Sequence, residues 1–288
     1  MQDLKGKVAF ITGGASGIGF SLAQACGAEG MRVMIADIDR EALDTAVVQL
    51  SNEQIDAAGV ICDVTSEESL RAAADATLDR YGKVYMLVNN AGVLVVGGAG
   101  ENSMDTWRWA MDVNVMGVVY GTEIFLPLIR EHGEGGHVLN TASVAGHVGS
   151  AGVLAYATTK HAVVGYTEAL ADQLKGENIG VSALCPGFTN TRIAETERFD
   201  GNREGEAGKE SGFSEAVDSG MSPDVVARFA IEQVQKDALF IFSHPGTRGE
   251  IAERWHVISA AFDQTDASEL INSDPDSKRI AFIPGSRP

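Results

Sequence analysis

Seven short apolar runs, at residues 8–11, 32–37, 59–64, 84–88, 137–141, 179–185 and 238–242, set the strongest limit on what this 288-residue chain can fold into. Each has strand length, and most are apolar at successive rather than alternate residues, as strands buried on both faces are. Segments of helical pattern separate them. Strands joined through helices make right-handed crossovers, and a series of these predicts an α/β fold with a parallel, doubly wound sheet and helices on both faces. A hydrophobic content of 44% suffices for one such domain, read as residues 1–288. Residues 188–221 break the pattern with glycine, glutamate and serine, and so large an irregular segment reads as a substrate lid. Ser222-Pro223-Asp224 restarts a helix. From about residue 243 the chain reads as an extension with one helix near 248–262 and a polar tail.

Ligands of such sheets gather at the carboxyl ends of the strands. After the first run comes Thr12-Gly13-Gly14-Ala15-Ser16-Gly17-Ile18-Gly19, then a helical pattern through Leu22, Ala23 and Cys26. Glycines let backbone approach a pyrophosphate, and the new helix offers it free N–H groups. The spacing is not the common G-x-G-x-x-G. Asp37 ends the second run twenty residues after Gly17. A carboxylate there accepts both ribose hydroxyls and repels a 2′-phosphate, which favours NAD over NADP. Ile38 follows it, and Arg40 is the one nearby cation; Asp37 could also cap a helix starting near Asp39. Asp63 and Val64 fall where an adenine would lie, Asn89-Asn90-Ala91-Gly92 follows the fourth run, and Pro186-Gly187 follows the sixth. Asp37, Asp63, Asn89, Ser143 and Pro186 therefore converge on one edge. Asn114, amid Val113, Val115 and Met116, is either a satisfied core amide or the cause of a helix break that holds water.

Tyr156 and Lys160 are one helical turn apart, so both point to one face. A phenol with a pKa of about 10 is a poor proton carrier at pH 7. An ammonium about 5 Å away, at an effective dielectric of about 20, would favour the phenolate by roughly 3 kcal/mol. A cationic nicotinamide would act the same way. Ser143, thirteen residues before Tyr156, can both donate to and accept from a substrate oxygen. The set predicts alcohol and ketone interconversion, with Ser143 positioning oxygen, Tyr156 moving the proton and Lys160 tuning Tyr156 and orienting the ribose. Leu94, Val95, His147, Val148, Ile193 and Phe199 are candidate linings for an apolar or aromatic substrate, or equally a packed lid.

Other chemistries find less support. Cys26, Cys62 and Cys185 are odd in number and lack metal-ligand spacing, so no metal is expected and each reads as a small core residue. His256 reads as a surface or interface residue. A net charge of −18 repels nucleic-acid phosphates and anionic lipid. No run approaches the roughly 20 apolar residues of a membrane span, and the N-terminus runs into a strand without a secretory signal, so the expectation is no membrane and a cytoplasmic enzyme.

The ordered set Thr12-Gly13-x-x-x-Gly17-x-Gly19, Asp63, Asn89-Asn90-Ala91-Gly92, Asn114, Ser143, Tyr156-x-x-x-Lys160 and Pro186-Gly187 resembles the classical short-chain dehydrogenases/reductases. The resemblance implies a Rossmann-type sheet of seven strands, an Asn114-Ser143-Tyr156-Lys160 tetrad, and a homo-oligomer, dimer or tetramer. It also implies that Asn114 holds a water linked to Lys160, and that the stretch from Pro186 through Thr189 to Thr191 contacts the nicotinamide, Thr191 at its carboxamide. Past residue 221 the chain is similar to NAD-dependent Cα-dehydrogenases, which oxidise benzylic alcohols of lignin-derived aryl ethers. The alternatives are a 3-oxoacyl or other ketone reductase, which Asp37 disfavours, and a non-catalytic NAD(H) sensor or scaffold, which has no need of the tetrad.

Overall fold

The apolar runs pair with one another in a computed structural model, which describes residues 2–200 and 212–277. The strands are β1 (Val8–Thr12), β2 (Arg32–Asp37), β3 (Ala57–Ile61), β4 (Met86–Asn89), β5 (Gly136–Thr141), β6 (Ile179–Leu184) and β7 (Phe240–Ile241). All pair in parallel, in the order β3-β2-β1-β4-β5-β6-β7. Two strand expectations shift. The third strand begins at Ala57 and ends at Ile61, because the register set by β2 joins Val33 to Ala57 and Asp37 to Ile61, leaving Asp63 and Val64 in the following turn. The last shrinks to two residues, since only Phe240 and Ile241 find partners on β6.

The helices are α1 (Gly17–Ala28), α2 (Arg40–Asn52), α3 (Glu67–Tyr81), α4 (Met104–Met111), α5 (Gly117–Glu131), α6 (Leu154–Gln173), α7 (Gly212–Asp218), α8 (Pro223–Gln235), α9 (Arg248–Asp266) and α10 (Glu269–Asn272). Local chemistry sets several ends: Asp39, Ser66 and Ser103 cap α2, α3 and α4 with side-chain bonds to Ala42, Ser69 and Thr106 N–H groups, and Gly82 closes α3 at φ 80°. On one face of the sheet, Val226, Ala227, Ala230, Ile231 and Val234 of α8 form an i, i+4 stripe in the same cluster as Leu22, Ala23 and Cys26 of α1. On the other, Phe10 stacks on Phe125 of α5, ring centroids 4.2 Å apart. Fully burying side chains of this size contributes about 1.5–3 kcal/mol each.

Between α4 and α5 the helical run is interrupted: Asp112–Met116 forms a π-helical turn. Together Met104–Glu131 spans 28 residues and is, by length and composition only, apolar enough to cross a membrane, a test that a buried core helix also passes. Its apolar character has a structural use here, since 56% of its most apolar window is buried inside the protein.

The chain divides into two compact units, residues 1–244 and 245–288. In the first, residues 188–221 include a 3-10 segment, Arg192–Phe199, and α7; residues 201–211 of the expected lid lie outside the described residues. The second contains α9 and α10, neither with a buried residue, and the polar tail expected at its end lies outside them from 278 onward.

Candidate active site

The strand order reverses direction between β1 and β4, which opens a crevice at their carboxyl ends. There the glycine turn meets the segment after β4. Thr12 accepts the Asn90 and Ala91 N–H groups on its hydroxyl at 2.9 and 3.0 Å, and Asn90 Nδ2 donates to the Thr12 and Gly13 carbonyls at 3.1 and 3.2 Å. Thr141 donates to Asn90 Oδ1 at 3.2 Å. The Asn90 side chain is thus committed to joining β1, β4 and β5, which leaves the backbone of Asn90, Ala91 and Gly92 to face the crevice. Gly13, at φ +61°, lies so near this segment that a Cβ would come 2.9 Å from Ala91 Cα.

Next to it, Ser16 is the N-cap of α1 but forms no side-chain cap bond, so the first turn at Gly17, Ile18 and Gly19 keeps its donors for another acceptor. A Cβ at Gly19 would come 2.1 Å from the Gly13 carbonyl oxygen. The turn is a close-packed cradle of backbone, which fits a pyrophosphate. Asp37, at the end of β2, accepts the Ala15 N–H at 3.1 Å and the Asp39 N–H at 3.1 Å, while capping of α2 falls to Asp39 itself. Ile38 is exposed beside it. Asp63 Oδ1 accepts from the Thr65 N–H and hydroxyl at 2.9 and 2.8 Å, and Val64 is buried against Gly117.

Ser143 caps the short turn after β5, accepting the Ala145 N–H at 3.1 Å, and its hydroxyl donates to the Pro186 carbonyl at 3.4 Å. It also lies close enough to the Tyr156 phenol to affect its titration. Lys160 is buried, donates to the Thr141 carbonyl at 2.8 Å, and holds Nζ 5.6 Å from the centre of the Tyr156 ring. Gly92, the Asn114 amide oxygen and Lys160 Nζ meet: a Cβ on Gly92 would lie 3.2 Å from Asn114 Oδ1 and 3.4 Å from Nζ. Asn114 accepts the Val93 N–H at 2.8 Å and donates to the Val93 carbonyl and the Thr159 hydroxyl at 2.9 and 3.0 Å. Both sequence readings of Asn114 hold in part, since it is a satisfied core amide and also sits in the π-helical turn, a feature found often at functional sites.

The electrostatics correct one expectation. The protein's own groups do not bring the phenol down: burial raises the Tyr156 pKa, and the nearby Ser143 hydroxyl opposes that rise. Burial lowers Lys160 from 10.5 to about 8, and the neighbouring Cys185 acts the other way. The ammonium is turned to a backbone carbonyl rather than to the phenol oxygen.

The candidate substrate residues divide. Val95 is wholly buried with Ala110 and Ala155, and His147 is buried with Nε2 3.4 Å from Cys185 Sγ and its ring against Phe240 and Phe242. Both serve the core, because the segments carrying them turn inward. Leu94 is buried too, and its N–H donates to the Thr196 hydroxyl at 3.0 Å, which ties the 3-10 segment to the crevice. Val148 and Ile193 are partly exposed and Phe199 is exposed. Thr189 is buried, its hydroxyl donating to the Gly187 carbonyl at 3.2 Å, whereas the Thr191 side chain lies 3.1 Å from where a Gly17 Cβ would be. Sequence reasoning passed over Thr141, Thr159 and His244, whose parts are hydrogen bonds across the fold that no local pattern announces. The three cysteines are buried, His256 is exposed, and among the described residues no cluster of metal ligands occurs.

Sheet and crevice together define an oxidoreductase of the Rossmann type. The chain belongs to the short chain dehydrogenase family, whose model matches residues 7–201. It is 32% identical to the CLA biosynthesis dehydrogenase/reductase of Lactiplantibacillus plantarum over 88% of this chain and 93% of that protein. It is 31% identical to the C alpha-dehydrogenase of Sphingobium sp. strain SYK-6, over 97% and 92% of the two chains. A short chain dehydrogenase/reductase from Burkholderia phymatum, solved in complex with NAD, superposes with a TM-score of 0.87 at 35% identity, covering 91% of this chain and 97% of that one.

Proposed function

We propose that the protein is an NAD-dependent dehydrogenase that interconverts a secondary alcohol and its ketone, with Tyr156 as the proton-transfer group. The observation that carries this reading is the meeting of the Ser143 hydroxyl, the Tyr156 phenol and the Lys160 ammonium beside the crevice that the glycine turn closes. Gly13, Ser16, Gly17, Ile18 and Gly19 cradle the pyrophosphate, Asp37 and Ile38 hold the adenosine ribose, Asp63 and Val64 the adenine. The backbone of Asn90, Ala91 and Gly92 and the loop carrying Pro186, Gly187, Thr189 and Thr191 face the nicotinamide end. The preference for NAD follows from Asp37, an acid at the end of β2 with exposed Ile38 next to it.

Bound NAD supplies a hydride acceptor and a positive charge near the phenol. In oxidation Ser143 orients the alcohol oxygen and Tyr156, as phenolate, accepts its proton. Lys160 favours that phenolate, and with Asn114 passes the proton onward to water. The alcohol's proton goes to Tyr156, and the hydride that balances it would be taken up by NAD held in the crevice. The catalytic domain is residues 1–244, with the lid at 188–221 and the extension beyond it, and the enzyme is a cytoplasmic homo-oligomer. Val148, Ile193 and Phe199 suit an apolar or aromatic alcohol, and the likeness past residue 221 to Cα-dehydrogenases of lignin-derived aryl ethers makes benzylic alcohols the first to try.

The test is NADH formation with benzylic, alicyclic and aliphatic secondary alcohols, for the wild type and Tyr156→Phe in parallel. Loss of a general acid–base group should lower turnover roughly a hundred- to ten-thousand-fold. Activity surviving in Tyr156→Phe would refute the role given to it.

A further inference from the structure

The loop after β6, residues 186–191, has no regular structure in its first residues, so something else must hold it. One anchor is on the β5 side, where the Val144 N–H and the Ser143 hydroxyl both reach the Pro186 carbonyl, at 3.0 and 3.4 Å. A second is the Met221 backbone, whose N–H donates to the Phe188 carbonyl at 3.0 Å and whose carbonyl accepts the Asn190 N–H at 2.9 Å. A third is His244, three residues past the end of β7. The Gly187 N–H lies 3.0 Å from His244 Nδ1, and His244 Nε2 lies 2.9 Å from the Phe188 carbonyl. An N–H can only donate and a carbonyl can only accept, so the imidazole accepts at Nδ1 and donates at Nε2. A single tautomer satisfies two consecutive peptide groups of the loop. Ser243 Oγ, 2.9 Å from Nδ1, braces the ring.

The fit is close. A Cβ at Gly187 would come 3.0 Å from His244 Cγ and 3.1 Å from Cδ2, so the ring lies flush against backbone that only glycine leaves bare. Gly220 packs on the next peptide, its own Cβ position being 2.6 Å from the Phe188 carbonyl carbon. His244 is itself only half-buried, so filling the core is not its purpose.

We propose that His244 is a positioning residue for the reaction. With the Met221 backbone it fixes the Gly187 and Phe188 peptides, and through the adjoining Pro186 carbonyl it braces the Ser143 hydroxyl, so that the nicotinamide-facing loop and the oxygen-orienting serine share a side-chain latch at the end of β7. This rests on the reading of residues 186–191 as cofactor contacts given above.

Two variants separate hydrogen bonding from volume. His244→Phe keeps a ring and neither bond; His244→Asn places an amide oxygen near Nδ1 and keeps the acceptor for Gly187. Three quantities are measured: hydrogen exchange at the Gly187 amide, NADH affinity by fluorescence titration, and kcat and KM separately for NAD and alcohol. In His244→Phe, Gly187 should exchange roughly tenfold faster or more, NADH should bind roughly tenfold more weakly, and kcat should fall, as expected for losing one or two backbone partners. His244→Asn should recover most of the exchange protection and NADH affinity. All three quantities within twofold of wild type in His244→Phe, or equal losses in Phe and Asn, would overturn the proposal. An inactive wild type would sink the dehydrogenase reading alone, because exchange and NADH affinity decide the latch without turnover.

Discussion

Burial acts in opposite senses on Tyr156 and Lys160, raising the phenol and lowering the ammonium to about 8, so the folded site by itself favours the uncharged form of each. This cost has a measurable sign. Between about pH 8 and 10.5 the native state holds fewer protons than the unfolded chain, so wild-type stability rises with pH across that window. The drop corresponds to about 3 kcal/mol, from which the lost Thr141 contact removes about 1. Lys160→Met should therefore be about 2 kcal/mol more stable than wild type to urea at pH 7, with the gap narrowing as the pH approaches 10, while dehydrogenase activity falls. A variant less stable than wild type at pH 7 would contradict the account. The spacing of Tyr156 and Lys160 was readable because i and i+4 share a helix face; the direction in which the ammonium turns was not, because it depends on the Thr141 carbonyl, nineteen residues away.

At the scale of elements, the glycine turn and β5 make separate predictions. A methyl group at position 19 meets the Gly13 carbonyl at 2.1 Å and Asn90 Nδ2 at 2.5 Å, and the first of these is backbone that cannot step aside. Gly19→Ala should weaken NADH binding at least roughly tenfold in a fluorescence titration; unchanged affinity would mean that the turn does not hold the pyrophosphate. On β5, burial pushes His137 down to about 3, with Nε2 2.8 Å from Ser182 Oγ. Its stabilising effect is complete above the unfolded pKa of about 6.5 and is lost as the pH falls toward 3, because only the unfolded chain accepts the proton. From pH 7 to 4 the wild type should lose about 3 kcal/mol more than His137→Gln in urea denaturation. Equal losses would remove His137 as the acid-sensitive group. Strand positions were legible because continuous apolar runs are what doubly covered strands require. The ends of β3 and β7 were not, since pairing with β2 and β6 trims them, and the π-helical turn at Asn114 arises from bonds to Val93 and Thr159.

For the molecule as a whole, every residue assigned to cofactor or proton transfer falls in the unit of residues 1–244. Helices α9 and α10 of the second unit bury no side chain, and Trp255, Val257 and Phe262 are exposed. Removing residues 245–288 should leave NADH affinity within about twofold and the thermal midpoint within a few degrees, by titration and calorimetry. A large fall in either would mean that the second unit supports the first. The sequence by itself determined the order of strands and helices, the α/β class, and the row of chemistry-bearing residues at strand ends. Those follow from local periodicity, which reports how many faces of a segment are covered. Tertiary structure decided which surface does the covering: Val95 and His147 turned into the core, Asn90 was spent joining three strands, and His244 reached Gly187 from 57 residues away. Contacts between residues so far apart in the chain leave no periodic trace, because each depends on where a second segment comes to rest.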